Sequence, residues 1–251
     1  MCRYKKLSFI YLFFPLVTLA FENAKVEIVP QNLAIPQLKS KLAFETSHKS
    51  FQTQKPFYIQ KYEVSKRNFF EFAKEYSKHH KKIENMKTAL WLEKYDYYDE
   101  DDALLPVTKV SFDIAGKYCK SIDARLPTQQ EWILAAITPT KIGKYQNKES
   151  VFIAYPTIGY ESAQEKMDNY LTTVDLSIES ANGLFGMMGN VWEMTTTLYE
   201  GEDDKIVIKG GSYKNREDRE FFDVRFVNFI YRSSKSYEYE HIGFRCAYDK
   251  Q

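Results

Sequence analysis

The stretch Gly183-Leu-Phe-Gly-Met-Met-Gly-Asn-Val-Trp-Glu193 carries glycine at 183, 186 and 189 and ends on a tryptophan and a glutamate. Glycine adopts positive φ and allows close backbone approach, so this spacing predicts tight turns instead of a helix. Trp192 is predicted to be a core aromatic. Glycines also predict a turn at Lys209-Gly-Gly-Ser-Tyr213, near short β-like stretches at 207–209 and 223–231. The second half of the chain is therefore predicted to be loop-rich, with short strands.

The helix signals lie in the first half of the chain. A helix is predicted to begin at Ser65, and a second one at Ser111. Thr128-Gln-Gln-Glu131 is a capping box that opens a third. Ahead of them, alternating apolar and polar residues over 57–62 predict a half-buried strand. Helices in the first half of the chain and short strands separated by glycine-containing turns in the second half predict an α+β fold.

The N-terminus has the pattern of an export signal. Arg3, Lys5 and Lys6 precede an apolar run over 7–20, which is short for a bilayer span and ends at the small residue Ala20. We expect residues 1–20 to be a signal peptide that directs the protein to the periplasm or outside the cell, with an uncleaved anchor as the alternative. Residues 21–54 are predicted to be an extended lead-in, and residues 55–251 the folded domain, without a transmembrane span.

Removal of this signal would also remove Cys2 and leave two cysteines, Cys119 and Cys246. Two thiols in an oxidising compartment usually form a disulfide when the geometry allows. Two buried free thiols are the alternative.

The overall composition indicates an ordinary globular protein. A hydrophobic fraction of 44% and a net charge of +1 give no reason to expect nucleic acid or an anionic membrane as a partner. The aromatic fraction of 16% favours a recognition surface, because tyrosine can be half-exposed with a solvated hydroxyl. A general compositional bias explains it equally well.

Four segments in order carry a resemblance to a known family. The chain resembles the formylglycine-generating-enzyme, or sulfatase-modifying-factor, superfamily over residues 56–248. This resemblance implies a modified C-type-lectin-like fold with a small twisted antiparallel sheet and two to three helices. It also implies a disulfide between Cys119 and Cys246. The segments are Pro56–Val64, Pro106–Trp132, Gly183–Glu193, and Lys209–Tyr213 with Ile242–Cys246.

The family's oxidase chemistry needs ligands that this chain lacks. Copper(I) prefers thiolates, and the family places two cysteines shortly after the Gly-Gly-Ser motif. Here Asn215 and Glu220 stand at those positions. The iron-dependent branch needs a histidine cluster, whereas the four histidines here include an adjacent pair, His79 and His80, that point to different faces of a helix. Neither copper nor iron is expected.

Calcium is the metal that the resemblance favours. In relatives a site is built from backbone carbonyls and a carboxylate, which correspond to Gly189, Val191 and Glu193 in this chain. Gly186 stands where the family usually has Asp or Asn, so one side-chain oxygen is missing, and water would have to replace it. The alternative is that Glu193 accepts hydrogen bonds from the backbone or from an arginine.

The resemblance also implies a substrate cleft near the Gly-Gly-Ser segment. We expect a non-catalytic binding or accessory module for a peptide, a glycan or an envelope protein. The alternatives are a metal-dependent oxidoreductase with atypical ligands and a structural component of an envelope or secretion assembly. The residues expected to line the cleft are Ser212, Tyr213, Asn215, Arg219 and Arg232.

Overall fold

The computed structural model describes a set of separate ranges, and every statement below concerns them. They are residues 24–29, 55–80, 102–137, 171–175, 179, 183–187, 189–213, 231–236 and 238–250. Their helices are α1 (Lys66–His80), α2 (Phe112–Ser121) and α3 (Gln129–Ile137). Their strands are β1 (Lys25–Ile28), β2 (Phe57–Gln60), β3 (Trp192–Tyr199), β4 (Glu202–Lys209), β5 (Tyr231–Ser234), β6 (Ile242–Gly243) and β7 (Ala247–Asp249).

Two small sheets organise the strands. The first is antiparallel in the order β1-β2-β7, and the second has the order β5-β4-β3-β6, in which only the β3–β6 pair is parallel. Strand β1 lies within residues 21–54, the stretch predicted to be a lead-in, and pairs with β2 along its whole length. This part of the lead-in is thus built into the folded unit. The predicted α+β, loop-rich fold class is confirmed.

The helices begin where the capping signals predict. The Ser65 hydroxyl accepts the backbone N–H of Asn68 at 3.2 Å at the start of α1. At α3 the capping box is reciprocal, because Glu131 N–H donates to the Thr128 hydroxyl at 3.1 Å and Thr128 N–H donates to the Glu131 carboxylate at 2.8 Å. Ser111 precedes α2 but makes no side-chain cap bond.

The apolar residues form two clusters. One packs α1 and α2 against the second sheet, and the other packs α3 against the first sheet. In the first cluster the rings of Phe69, Tyr118 and Phe244 contact one another, with centroids 5.4–6.2 Å apart. The C-terminal segment between β6 and β7 therefore runs through the interior, with Phe244 and the next two residues fully buried.

A disulfide joins this segment to α2. Cys119 and Cys246 are bonded, with Cα atoms 5.6 Å apart and a sequence separation of 127, and neither is exposed. The pairing expected from the sequence is confirmed. No helix among the described residues is long and apolar enough to cross a membrane.

We predict that the Cys119→Ser/Cys246→Ser double variant loses about 2–5 kcal/mol of unfolding free energy, because a cross-link of this span restricts the unfolded chain. Denaturant unfolding measures this loss. Reduction should bring the wild type towards the variant and leave the variant unchanged. Equal stability of the two proteins under oxidising conditions would contradict a structural role for the bond.

Candidate functional site

The Gly-Gly-Ser segment and the glycine-rich turn before β3 lie side by side, although they are separate in sequence. Gly189 N–H donates to the Gly210 carbonyl at 2.8 Å, and Tyr213 N–H donates to the Asn190 carbonyl at 2.9 Å. A Cβ atom at Gly210 would lie 3.1 Å from the Met187 carbonyl oxygen and 3.3 Å from the ring of Trp132. Glycine at 210 thus allows the two turns to meet.

The structure describes part of the predicted cleft. Ser212 is buried, and burial raises the pKa of Tyr213, whose hydroxyl lies 3.4 Å from the Glu240 carbonyl oxygen. The backbone of Arg232 lies in β5, opposite Val207 in β4. Three of the predicted positions and one side chain lie outside the described residues, so their arrangement stays a prediction: Asn215, Arg219, Glu220 and the side chain of Arg232.

Beneath these turns, Glu193 and Arg245 form an ion pair with no solvent exposure. Arg245 NH2 donates to Glu193 Oε1 at 2.6 Å and Arg245 Nε donates to Oε2 at 2.7 Å, which is a bidentate pairing. The indole N–H of Trp132 donates to the same Oε2 at 2.8 Å. Both carboxylate oxygens of Glu193 are therefore occupied by hydrogen bonds.

Arg245 also binds three backbone carbonyls. Its NH1 group donates to Gln60 and Lys61 at 3.2 Å each, and its NH2 group donates to Phe185 at 2.6 Å. Together with the two bonds to Glu193, this uses all five guanidinium N–H donors. One side chain thus joins the end of β2, the glycine-rich turn and β3.

A second carboxyl group, that of Glu63, lies under the same turn and is only 2% exposed. It accepts the Asn190 side-chain amide at 2.6 Å and faces the Val191 N–H at 3.4 Å. Its pKa is raised well above the ordinary value, chiefly by burial and further by the negative charge of Glu193, against the opposing effects of Arg245, Asn190 and Val191.

A buried lysine completes the set of charged groups. Lys209 is the cross-strand partner of Glu193, and its ammonium nitrogen lies 5.8 Å from the ring centroid of Trp132. Burial lowers its pKa to about 7. Glu63, Lys209 and Arg245 were not predicted to belong to the site. For Arg245 the available signal was a charged residue inside the otherwise uncharged and largely apolar segment 242–246, whereas Glu63, close to Gln60 and Lys61, gave no such signal.

The donor chemistry of the turn suits calcium only in part. Carboxylate and carbonyl oxygens are its preferred ligands. The Glu193 carboxylate, however, already accepts three N–H hydrogen bonds. Across the described ranges, no three His, Cys, Asp or Glu side chains group closely enough to hold a metal ion. Calcium at Gly189, Val191 and Glu193 stays a prediction.

The model of the "Sulfatase-modifying factor enzyme 1-like domain" family matches residues 21–250. The chain belongs to this family. The resemblance drawn from the four motifs is thereby confirmed, and the match also includes β1.

Two curated relatives share the name "Inactive C-alpha-formylglycine-generating enzyme 2". The protein of Mus musculus is 27% identical over 162 residues, covering 57% of this chain and 49% of the relative. The protein of Bos taurus is 28% identical over 150 residues, covering 57% of this chain and 50% of the relative. The present chain therefore spans about half the length of these relatives.

Solved structures share the fold at low identity. The crystal structure of CarF aligns with a TM-score of 0.56 at 17% identity, covering 92% of this chain and all of CarF. PvdO from Pseudomonas aeruginosa aligns with a TM-score of 0.53 at 15% identity, covering 89% of this chain and 93% of PvdO. Treponema denticola variable protein 1 aligns with a TM-score of 0.52 at 13% identity, covering 89% of this chain and 94% of that protein. At these identities the likeness extends to the fold alone.

We predict that Arg245→Met lowers the unfolding free energy by about 3–5 kcal/mol, because it leaves the Glu193 carboxylate buried without a counter-charge. The double variant Arg245→Met/Glu193→Gln should recover part of this loss. As a control, Lys66→Met removes the partly exposed pair with Asp102 and should cost about 1 kcal/mol or less. Urea unfolding measures all three variants. A similar small loss for Arg245→Met would contradict the central role of this pair.

Proposed function

We propose that this protein is an exported, non-catalytic member of its family that binds a peptide, a glycan or an envelope protein. The observation that carries the proposal is the Cys119–Cys246 disulfide. The chain has three cysteines, the third being Cys2, so both thiols of the matched domain are used in one buried bond. The scaffold is retained without thiolates for copper.

The residues at the two positions where the family has its catalytic cysteines support this proposal. Copper(I) is a soft ion that is stabilised by thiolate ligands, and the amide of Asn215 and the carboxylate of Glu220 are hard oxygen donors. Curated relatives whose names carry the word "inactive" agree with a scaffold that functions without the oxidase reaction.

Export is supported by two independent features. The apolar run over 7–20 after three basic residues has the form of a signal peptide. The disulfide is the kind of bond that persists in oxidising compartments and is rare in the cytosol. Both features support a protein that works in the periplasm or outside the cell.

The binding surface that we propose is the face around the Gly-Gly-Ser segment. Tyr213, which follows the buried Ser212, begins it, and the arginines at 219 and 232 are expected to add positive charge. Arginine and tyrosine are the residues that most often dominate recognition surfaces, through bidentate hydrogen bonds and flat contact area. A peptide or glycan that carries carboxylates would suit this composition.

We predict that the purified protein binds acidic members of peptide and glycan arrays, and that Arg219→Ala weakens this binding about tenfold or more. Lys74→Ala, an exposed position on α1, serves as the matched control and should bind like the wild type. Affinities measured by biolayer interferometry on the array hits check the difference.

The same preparation should be loaded with copper(I) and assayed for oxygen uptake with thiol-containing peptides. The proposal expects no stoichiometric copper and no thiol-dependent oxygen uptake. Stoichiometric copper with turnover would establish an oxidoreductase with atypical ligands instead. Arrays without any hit would count against the binding role.

A further inference from the structure

The first sheet has two edges, and the structure treats them differently. The sheet has the order β1-β2-β7, so β1 and β7 are the edge strands. The edge of β7 is closed by Arg125, which exchanges two backbone hydrogen bonds with Ala247, at 2.9 and 2.7 Å. Within the described ranges no strand pairs with the outer edge of β1. An edge of this kind is a template for pairing with another strand.

The backbone groups that face this edge follow from the ladder between β1 and β2. Lys61 N–H donates to the Ala24 carbonyl at 2.7 Å, so these two residues form a hydrogen-bonded pair. Hydrogen-bonded pairs alternate along an antiparallel ladder, so Val26 also bonds to β2. The N–H and C=O groups of Lys25 and Glu27 therefore point away from β2, towards the outer edge.

The side chains of Lys25 and Glu27 do not cover this edge. The ammonium nitrogen of Lys25 lies 4.9 Å from the ring centroid of Tyr58 in β2 and 4.7 Å from that of Tyr248 in β7. Glu27 pairs with Lys250, just after β7. Both side chains thus lean back across the solvent-facing side of their own sheet, while the alternate residues of β1 are buried beneath it.

We propose that β1 pairs with β1 of a second copy of this protein, antiparallel across a two-fold axis, so that the two three-stranded sheets become one. In such an isologous contact both copies present the same strand. Residues whose backbone groups point outwards must lie opposite one another. Within β1 this leaves three registers, in which Lys25 faces Lys25, Glu27 faces Glu27, or Lys25 faces Glu27.

Charge decides among these three registers. Like charges directly opposite each other destabilise a pair of strands, and opposite charges stabilise it. When Lys25 of one copy faces Glu27 of the other, the two-fold axis produces this pair twice, and each pair exchanges two backbone hydrogen bonds. Val26 then lies opposite Val26 of the second copy, on the buried side of the joined sheet. The other two registers place like charges face to face.

The strength of the contact is limited by the length of the strand. Strand β1 has four residues, so the joined edge is short. Small contacts are typical of weak and transient association, and we expect a Kd on the order of 10–100 μM. The proposal concerns this edge and does not depend on what the face around the Gly-Gly-Ser segment binds.

Sedimentation velocity of the purified protein between about 1 and 300 μM tests the association. The wild type should shift from monomer to dimer over this range. Glu27→Lys and Lys25→Glu each place like charges opposite one another at both pairs, so each should weaken dimerisation about tenfold or more. Glu71→Lys makes the same charge change at an exposed position of α1 and should dimerise like the wild type.

Mixing the two charge-reversed variants makes the result specific. One variant then has lysines at positions 25 and 27 and the other has glutamates at both, so opposite charges face each other again and a heterodimer should form. Glu27→Pro removes an N–H donor that points outwards while leaving the β1–β2 hydrogen bonds in place, and should also weaken dimerisation. Circular dichroism verifies that each variant is folded.

A wild type that stays monomeric up to about 300 μM would overturn the proposal. So would a dimer that both charge reversals and Glu27→Pro retain at wild-type strength, because another surface would then join the copies. Folded variants that fail to associate when mixed would contradict the register selected by charge. None of these outcomes alters the array and copper experiments, so failure here is distinguishable from failure of the proposed function.

Discussion

The guanidinium of Arg245 connects more separate parts of this chain than any other side chain described above. It lies between the end of β2, the turn at Phe185 and the carboxylate of Glu193 in β3, and it is fully buried. Burying such a charge is tolerable only when every donor is satisfied and an opposite charge is adjacent. Both conditions hold here, so the loops around Arg245 have one arrangement that satisfies it.

The position of Arg245 follows from its neighbours in sequence. Phe244 packs into the aromatic group with Phe69 and Tyr118, and Cys246 is bonded to Cys119 in α2. The contacts of Phe244 and Cys246 hold this segment in the core on both sides of Arg245. The arginine side chain between them contacts Glu193. In this family member the cysteines therefore serve the scaffold, and the proposed recognition role relies on the turns that the scaffold supports.

The local parts of this arrangement were predictable, and the long-range parts were not. The capping box at Thr128 and Glu131 placed α3 because its bonds lie within one turn of helix. Strand β3 was missed because its first four residues are all buried, which removes the alternation that marks a half-exposed strand. The pairing of Glu193 with Arg245 spans 52 residues, and that of Glu63 with Asn190 spans 127. Only the folded chain brings those groups together.

Native-state hydrogen exchange tests the central role of Arg245 most directly. The amides that surround it bind across segments: Gln60 to Cys246, Phe185 to Lys61, Val64 to Phe244, and Trp192 to His241. If Arg245 ties these segments into one unit, the four amides should exchange with a common opening free energy close to that of global unfolding. An opening of the Phe185 turn at much lower free energy, independent of the other three, would contradict the account.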